Sequence, residues 1–193
     1  MAPTGLCRQP SSTGQPMSTK IGLFYGSSTC YTEMAAEKIV EAINRLSGTE
    51  LISLHNIASE PIELMTEYQY LVLGIPTWDY GELQEDWESN WDAIDSLDFT
   101  GKQVAIYGLG DQIGYPEWFQ DALGYLWVKM VNLGASTVGN WPNQGYSFEQ
   151  SKALTEDGQF FVGLPLDDEN QFELTDDYIA QWSQQILTEF GLA

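Results

Sequence analysis

The feature that most limits how this chain can fold is a set of short, uninterrupted apolar runs, each followed by a turn-rich cluster and then a helical period. Ile21-Gly-Leu-Phe-Tyr25, Tyr70-Leu-Val-Leu-Gly-Ile75 and Gln103-Val-Ala-Ile-Tyr-Gly-Leu109 lack the polar alternation of a half-exposed strand. Strands of that composition are covered on both faces, as in a parallel sheet between two helical layers. Residues 51–54 read as another strand, and residues 135–139 and 160–166 as two further strand-like pieces. Helical periods lie between them. In residues 32–46, Met34, Ile39, Ala42, Ile43 and Leu46 fall near 3.6-residue spacing, the pattern of a core-facing stripe. Residues 116–133 open with a proline suited to a first turn and carry Phe119, Leu123, Leu126 and Met130. Residues 176–190 repeat the pattern with Ile179, Trp182, Ile186 and Phe190, and Trp87 and Trp91, four apart, mark one face of a short helix. Such alternation predicts an α/β fold, an open parallel sheet with helices on both faces.

At 193 residues the chain suits one domain, and its 43% hydrophobic and 13% aromatic content excludes a disordered one. No apolar run approaches the ~18 residues of a membrane span. Seven Lys and Arg face 28 Asp and Glu, a formal net charge of -21, which argues against DNA, RNA and anionic membranes and suits basic protein partners. Cys7, Cys30 and the single His55 supply neither a disulfide framework nor a zinc set, so the cytoplasm is the default compartment; His55 is assigned no role. Residues 1–19 are rich in Ser, Thr, Pro and Gly and lack the apolar segment of a secretory signal. They are expected to form a disordered tail, or to include an upstream extension ahead of a natural start at Met17, with the folded domain spanning 20–193. Residues 141–158 break the rhythm: polar and turn-rich, they read as a surface loop inserted into one last strand whose halves lie on either side.

In an open parallel sheet, ligands bind at the carboxyl ends of the strands. Three such ends stand out. Gly26-Ser-Ser-Thr-Cys-Tyr-Thr32 places four hydroxyl side chains between a strand and a helix start. Amides at a helix N-terminus attract anions and hydroxyls add donors, so the loop suits a phosphate; ordinary helix capping is the alternative. There is no Gly-x-Gly-x-x-Gly and no Gly-Lys-Ser/Thr. Pro76-Thr-Trp-Asp-Tyr-Gly81 offers the flat face of Trp78, and Gly108-Leu-Gly-Asp-Gln-Ile-Gly-Tyr115 offers backbone freedom and a second flat face at Tyr115. Together these suggest a slot for a planar heterocycle on a phosphorylated tail.

The three loops, in this order and spacing, resemble the flavodoxin family over residues 20–193. The 141–158 segment is similar to the insertion of long-chain flavodoxins, and the wording around residues 25–34 and 75–82 is most similar to the bacterial flavodoxin B subgroup. The resemblance implies a five-stranded sheet of order 2-1-3-4-5 with its last strand interrupted, non-covalent FMN, and low-potential one-electron transfer between semiquinone and hydroquinone rather than substrate turnover. Carried over position by position, Ser27, Ser28, Thr29 and Thr32, with the amides of Cys30 and Tyr31, would hold the FMN phosphate. Trp78 and Tyr115 would sandwich the isoalloxazine, and Pro76, Thr77, Gly81, Leu109 and Gly110 would complete the loops around it. The Asp79–Tyr80 peptide would face flavin N5, Asp111 the pyrimidine edge, and Trp118 to Gln120 flavin O2. Cys30 stands where many relatives have glycine, and Leu109 where many have threonine. The implied partners are basic redox proteins, such as a ferredoxin/flavodoxin-NADP reductase, and iron–sulfur enzymes, met by a monomer.

Between Asp79 and Asp98 there are eight acids and no base. At ~10 Å and an effective dielectric of ~40, one such charge opposes an anion by ~0.8 kcal/mol. Several together lower a one-electron potential by ~100 mV or more, at ~59 mV per tenfold. Glu82, Glu85, Asp86, Glu88 and Asp92 are expected to steer a basic partner. The competing reading is an FMN quinone reductase taking hydride from NADPH, which the acidic rim opposes.

Overall fold

The computed structural model describes residues 20–193; the expected tail disorder and the start at Met17 concern residues outside that range. Its organising element is β3, Tyr70–Trp78, which has neighbours on both sides. On one side it pairs in parallel with β1, Ile21–Tyr25, which in turn pairs with β2, Ile52–Asn56. On the other it pairs with β5, Gln103–Leu109, over seven register positions from Tyr70↔Gln103 to Pro76↔Leu109. The core residues of β1, β3 and β5 are almost completely excluded from water, as the apolar runs require.

The far edge of the sheet is one strand in two halves, as expected. β6, Ser136–Val138, pairs with Gln103–Ala105, and β9, Leu164–Leu166, with Tyr107–Leu109, both parallel. The path β2-β1-β3-β5 followed by this divided strand is the 2-1-3-4-5 order of a flavodoxin-like sheet. The intervening segment is not structureless. It forms a short antiparallel ribbon of β7, Trp141–Pro142, and β8, Phe160–Phe161, so the single piece expected at 160–166 divides between ribbon and sheet. Tyr146, Phe148 and Phe161 pack around buried Phe119, which fastens the insertion to the body of the protein.

Helices α1, Tyr31–Ser47, α2, Glu85–Ile94, α3, Asp121–Asn132, and α4, Phe172–Glu189, cover the sheet. The expected stripes of α3 and α4 are buried, but two members of the α1 stripe are not: Met34 and Leu46 are more than 40% exposed. Met34 shares its end of the helix with buried Ala35 and Ala36 but lies off the buried stripe, and Leu46 lies in the last turn, past Ala42 and Ile43. The third helix starts five residues later than its period suggests. Residues 116–120 form turns, with Gln120 left-handed at φ 63, so Phe119 joins the core from outside the helix. Two elements carry no strong pattern: a 3₁₀ helix at Ile62–Glu67, and β4, Glu82–Leu83, which folds back on Thr77–Trp78. His55 stacks on Phe24 and hydrogen-bonds Glu60 and the Tyr68 hydroxyl, a packing role at the sheet edge.

The insertion crosses α3 at Gly124, where an added Cβ would lie 2.3 Å from the carbonyl oxygen of Lys152. Alanine there gains ~1 kcal/mol of helix propensity but collides with backbone, and overpacking of this kind costs ~1–3 kcal/mol. Gly124→Ala is therefore expected to lower the urea midpoint, with a net loss of ~1 kcal/mol, and a raised midpoint would contradict the close crossing.

Candidate functional site

The carboxyl ends of β1, β3, β5 and β9 open on one cleft of about 290 Å³. Its walls are Thr29, Tyr31 and Thr32 after β1, Pro76 to Asp79 at the end of β3, and Leu109 to Asp111 with Tyr115 after β5. Trp118 and Phe119 close one side, and Asp168 and Glu169 after β9 another. Trp78 and Tyr115, expected to face a planar group, therefore line the same cleft. Tyr80 does not line it; 69% exposed, it packs edge-on against Tyr115 and Trp118 and braces the two from outside.

The hydroxyl-rich loop resolves a choice that its residue types leave open. Cys30 occupies the N-cap position of α1, and no side chain of the described residues caps the helix. Four hydroxyls are thus present at a helix start and none is used for capping, which leaves the first-turn amides directed at the cleft end. Ser27 Oγ is buried without a hydrogen-bond partner among the described residues, a donor that ordinary packing leaves unsatisfied. Ser28 is engaged elsewhere: its hydroxyl accepts from Gln84 Nε2 at 3.0 Å and donates toward Glu85. Gln84, 1% exposed, also accepts from the amides of Asp86 and Trp87, so one side chain ties the start of α2 to the loop after β1. Tyr107 on β5 donates to the Thr32 carbonyl at 2.9 Å and fixes the start of α1 over the sheet.

The loop after β3 is shorter than its sequence suggests. Pro76, Thr77 and Trp78 belong to the strand, and only residues 79–81 turn, with Asp79 at φ 41, Gly81 at φ 88 and the Gly81 amide bonded to the Trp78 carbonyl. Asp tolerates this left-handed region better than most residues because its short side chain can bond locally. Thr77 Oγ1 accepts the Ala122 amide and joins this strand end to α3.

Gln120 has a different position from the one the resemblance implies for it. It is fully buried, does not line the cleft, and donates through Nε2 to the carbonyls of Leu166 and Gly108. It clamps the ends of β5 and β9 beneath the site, and Gly108 leaves room for it, since an added Cβ would lie 2.2 Å from Gln120 Oε1.

Four carboxylates, Asp79, Asp111, Asp168 and Glu169, line the cleft, and among the described residues no lysine, arginine or histidine does. Burial pushes the Asp111 carboxyl up, but hydrogen bonds from the Gly114 amide, the Asn170 side chain and the Ile113 amide outweigh it and hold the group below the usual carboxylate range. Beneath it lies Asp167, 2% exposed, which accepts from the Gln112 amide and side chain and from the Asn170 amide and side chain. This buried carboxylate locks the loop carrying Tyr115 to the end of β9. Asp167, Asp168 and Glu169 were missed by sequence reasoning, although an acidic run directly after a strand, at the same sheet end, is a signal that would have found them.

A doubly wound sheet with an aromatic-walled cleft at its switch point, free of cations among the described residues and beside a helix start that none of their side chains caps, defines a binding protein for a planar group carrying a phosphate. The comparisons agree: the family model described as Flavodoxin matches residues 23–182, and the chain belongs to the flavodoxin family. It is 57% identical to Flavodoxin 2 of Escherichia coli over 171 residues, 89% of this chain and 96% of that protein. It is 49% identical to the flavodoxin of Nostoc sp. over 176 residues, 91% of this chain and all of the other. Among solved structures, Fusobacterium nucleatum flavodoxin bound to flavin mononucleotide superposes with a TM-score of 0.80 at 32% identity, covering 88% of this chain and 97% of that one.

Cys30 stands at φ 69, a region that disfavours non-glycine residues by ~1–2 kcal/mol, whereas glycine adds ~0.4–1 kcal/mol of unfolded-state freedom. Cys30→Gly is expected to stabilise the apoprotein by ~0.5–1 kcal/mol in thermal or urea unfolding. For Asp111, a folded-state pKa below the unfolded value means that its contribution is present above the unfolded pKa of ~4 and disappears as pH falls through the folded value. Comparison of wild type with Asp111→Asn in melts from pH 7 to pH 2.5 is expected to show the wild-type advantage shrinking below about pH 4, with no such convergence if the carboxylate carries no net bonding.

Proposed function

We propose that this chain is an FMN-carrying electron-transfer protein, a carrier without substrate turnover of its own, whose prosthetic group lies in the cleft between Trp78 and Tyr115. The observation that carries the reading is the hydroxyl-rich loop at the start of α1, where among the described residues no side chain caps the helix and the buried Ser27 hydroxyl lacks a partner. Those groups fit a phosphate held without a cation, and the aromatic walls at Trp78, Tyr115 and Trp118 fit a flat ring system. When bound, FMN supplies the ability to accept and pass on electrons one at a time. Ser27, Thr29 and Thr32, with the amides of residues 28–32, would hold its phosphate, and Trp78 and Tyr115 would exclude water from its faces. The peptide after Asp79, in a tight turn, presents a backbone carbonyl or amide at the mouth of the cleft. The four lining carboxylates oppose any added negative charge, which favours a low potential, and the sign of that effect does not depend on ring placement.

Redox partner proteins follow from the family. The finer reading is that the acids of residues 79–98 attract basic partners, a reductase drawing on NADPH and iron–sulfur enzymes, to a monomer in the cytoplasm built as a single domain over 20–193. No helix among the described residues is long and apolar enough to cross a membrane. The acid-lined cleft offers no cation to a dinucleotide, so direct hydride transfer from NADPH gains no support from the site.

The test is FMN titration of the apoprotein followed by anaerobic potentiometry. Stoichiometric uptake is expected, with Trp78→Ala and Tyr115→Ala each weakening it about tenfold, the scale of an aromatic pair worth ~1.5 kcal/mol. Two separable one-electron steps are expected; failure to bind FMN, or one two-electron step, would overturn the proposal.

A further inference from the structure

A groove of about 770 Å³, larger than the cleft, lies between α2 and α3, and the two share no lining residue. Leu83, Trp91 and Leu133 form its half-buried floor, and Tyr125 and Val128 stand at its edge, 38% and 47% exposed. Three carboxylates, Glu82, Glu88 and Asp95, face one cation, Lys129. The lysine is already committed: its ammonium pairs with Asp95, donates to the Trp91 carbonyl at 3.0 Å and lies 4.6 Å from the Trp91 ring centroid. With that pair neutral, Glu82 and Glu88 leave the groove a net charge of -2, and neither has an ion-pair partner among the described residues. Glu88 lies in the first turn of α2, where an acid is favoured for local reasons. Glu82, on β4, has no such reason.

Groove and cleft are two sides of one turn. Trp78 and Asp79 line the cleft; Gly81 and Glu82 line the groove. The turn is held stiffly, by the Gly81 amide on the Trp78 carbonyl and by pairing of Trp78 with Glu82. Behind Gly81 there is no spare room, since an added Cβ would come within about 3.0–3.2 Å of Asp121 and Trp118.

We propose that this groove is the anchor site for a redox partner's basic surface segment, a lysine or arginine flanked by an apolar residue, which seats the partner beside the cleft mouth. The assignment rests on the carrier function above and adds the place and chemistry of docking. The argument is charge complementarity on an apolar base. A long cationic side chain lays its stem on Tyr125 and Val128 and brings its head to Glu82 and Glu88, so burial and charge are satisfied together. A half-buried tryptophan at the floor is the residue type on which binding energy concentrates. A second copy of this chain is a poor occupant, because only seven bases accompany 28 acids and like-charged surfaces repel.

The test uses the FMN-loaded chain and a purified ferredoxin/flavodoxin-NADP reductase, with Kd measured by calorimetry at several salt concentrations. Val128→Glu, an exposed substitution on a helix, is expected to raise Kd at least tenfold while leaving FMN stoichiometry unchanged. Glu82→Gln combined with Glu88→Gln, which removes charge with little change of shape, is expected to flatten the salt dependence. Wild-type Kd and salt slope in both variants would overturn the proposal, as would absence of association with the wild-type chain, or self-association that Val128→Glu abolishes in sedimentation. The two readings fail differently: a wild-type chain that takes up no FMN sinks the carrier function, whereas unchanged docking of an FMN-loaded variant sinks only the groove.

Discussion

The parallel register of β3 on β5 is the constraint on which the remaining structure depends. Seven consecutive pairings, ending at Pro76↔Leu109, bring two strands to a common finish and set the turn after Trp78 beside the loop that carries Tyr115. A slip by one residue would reverse which face each side chain occupies, and the sheet is buried on both sides, so the penalty falls on every core residue at once. The apolar interior thus fixes the spacing of the two loops that carry Trp78 and Tyr115. Gln120 and Thr77 then secure the strand ends to β9 and α3 through hydrogen bonds to backbone.

The insertion works as a brace for this site. The Ser147 amide donates to Gln112, whose own amide and side chain bond the buried Asp167; the Glu149 and Gln150 amides donate to the Pro116 carbonyl; and the Lys152 amide donates to Asp121. Each of these contacts lands on the stretch from Gln112 to Asp121 that supplies Tyr115, Trp118 and Phe119 to the cleft. Ligand-binding loops elsewhere are commonly drawn from the least stable parts of a fold. Here aromatic packing of Tyr146, Phe148 and Phe161 around Phe119 adds core to the back of the loop.

Much of the fold was legible because burial on two faces leaves an unmistakable run, as at residues 21–25, 70–75 and 103–109, and because α3 and α4 keep a full apolar stripe. The interrupted last strand was legible for a similar reason: two short apolar pieces without a helix between them leave few other places to go. What escaped was decided by local bonds with no period. The late start of α3 follows from the left-handed Gln120, and the short turn after β3 from the pairing of Glu82 with Trp78. In the site, residue types announced the loops, but not that Ser28 is occupied by Gln84 or that Gln120 points into the interior.

By itself the sequence determined the sheet, its strand order through family resemblance, and the three loops where a ligand meets the strand ends, because apolar periodicity and glycine-rich punctuation are written residue by residue. Only the tertiary structure decided whether the hydroxyls after β1 cap a helix or remain available, and which acids surround the cleft. It also decided that a second, acidic groove lies behind the Trp78–Gly81 turn. The physical reason is that hydrogen-bond satisfaction and the pairing of charges are properties of neighbours distant along the chain, such as Lys129 with Asp95 or Gln112 with Asp167. No local pattern of residues carries that information.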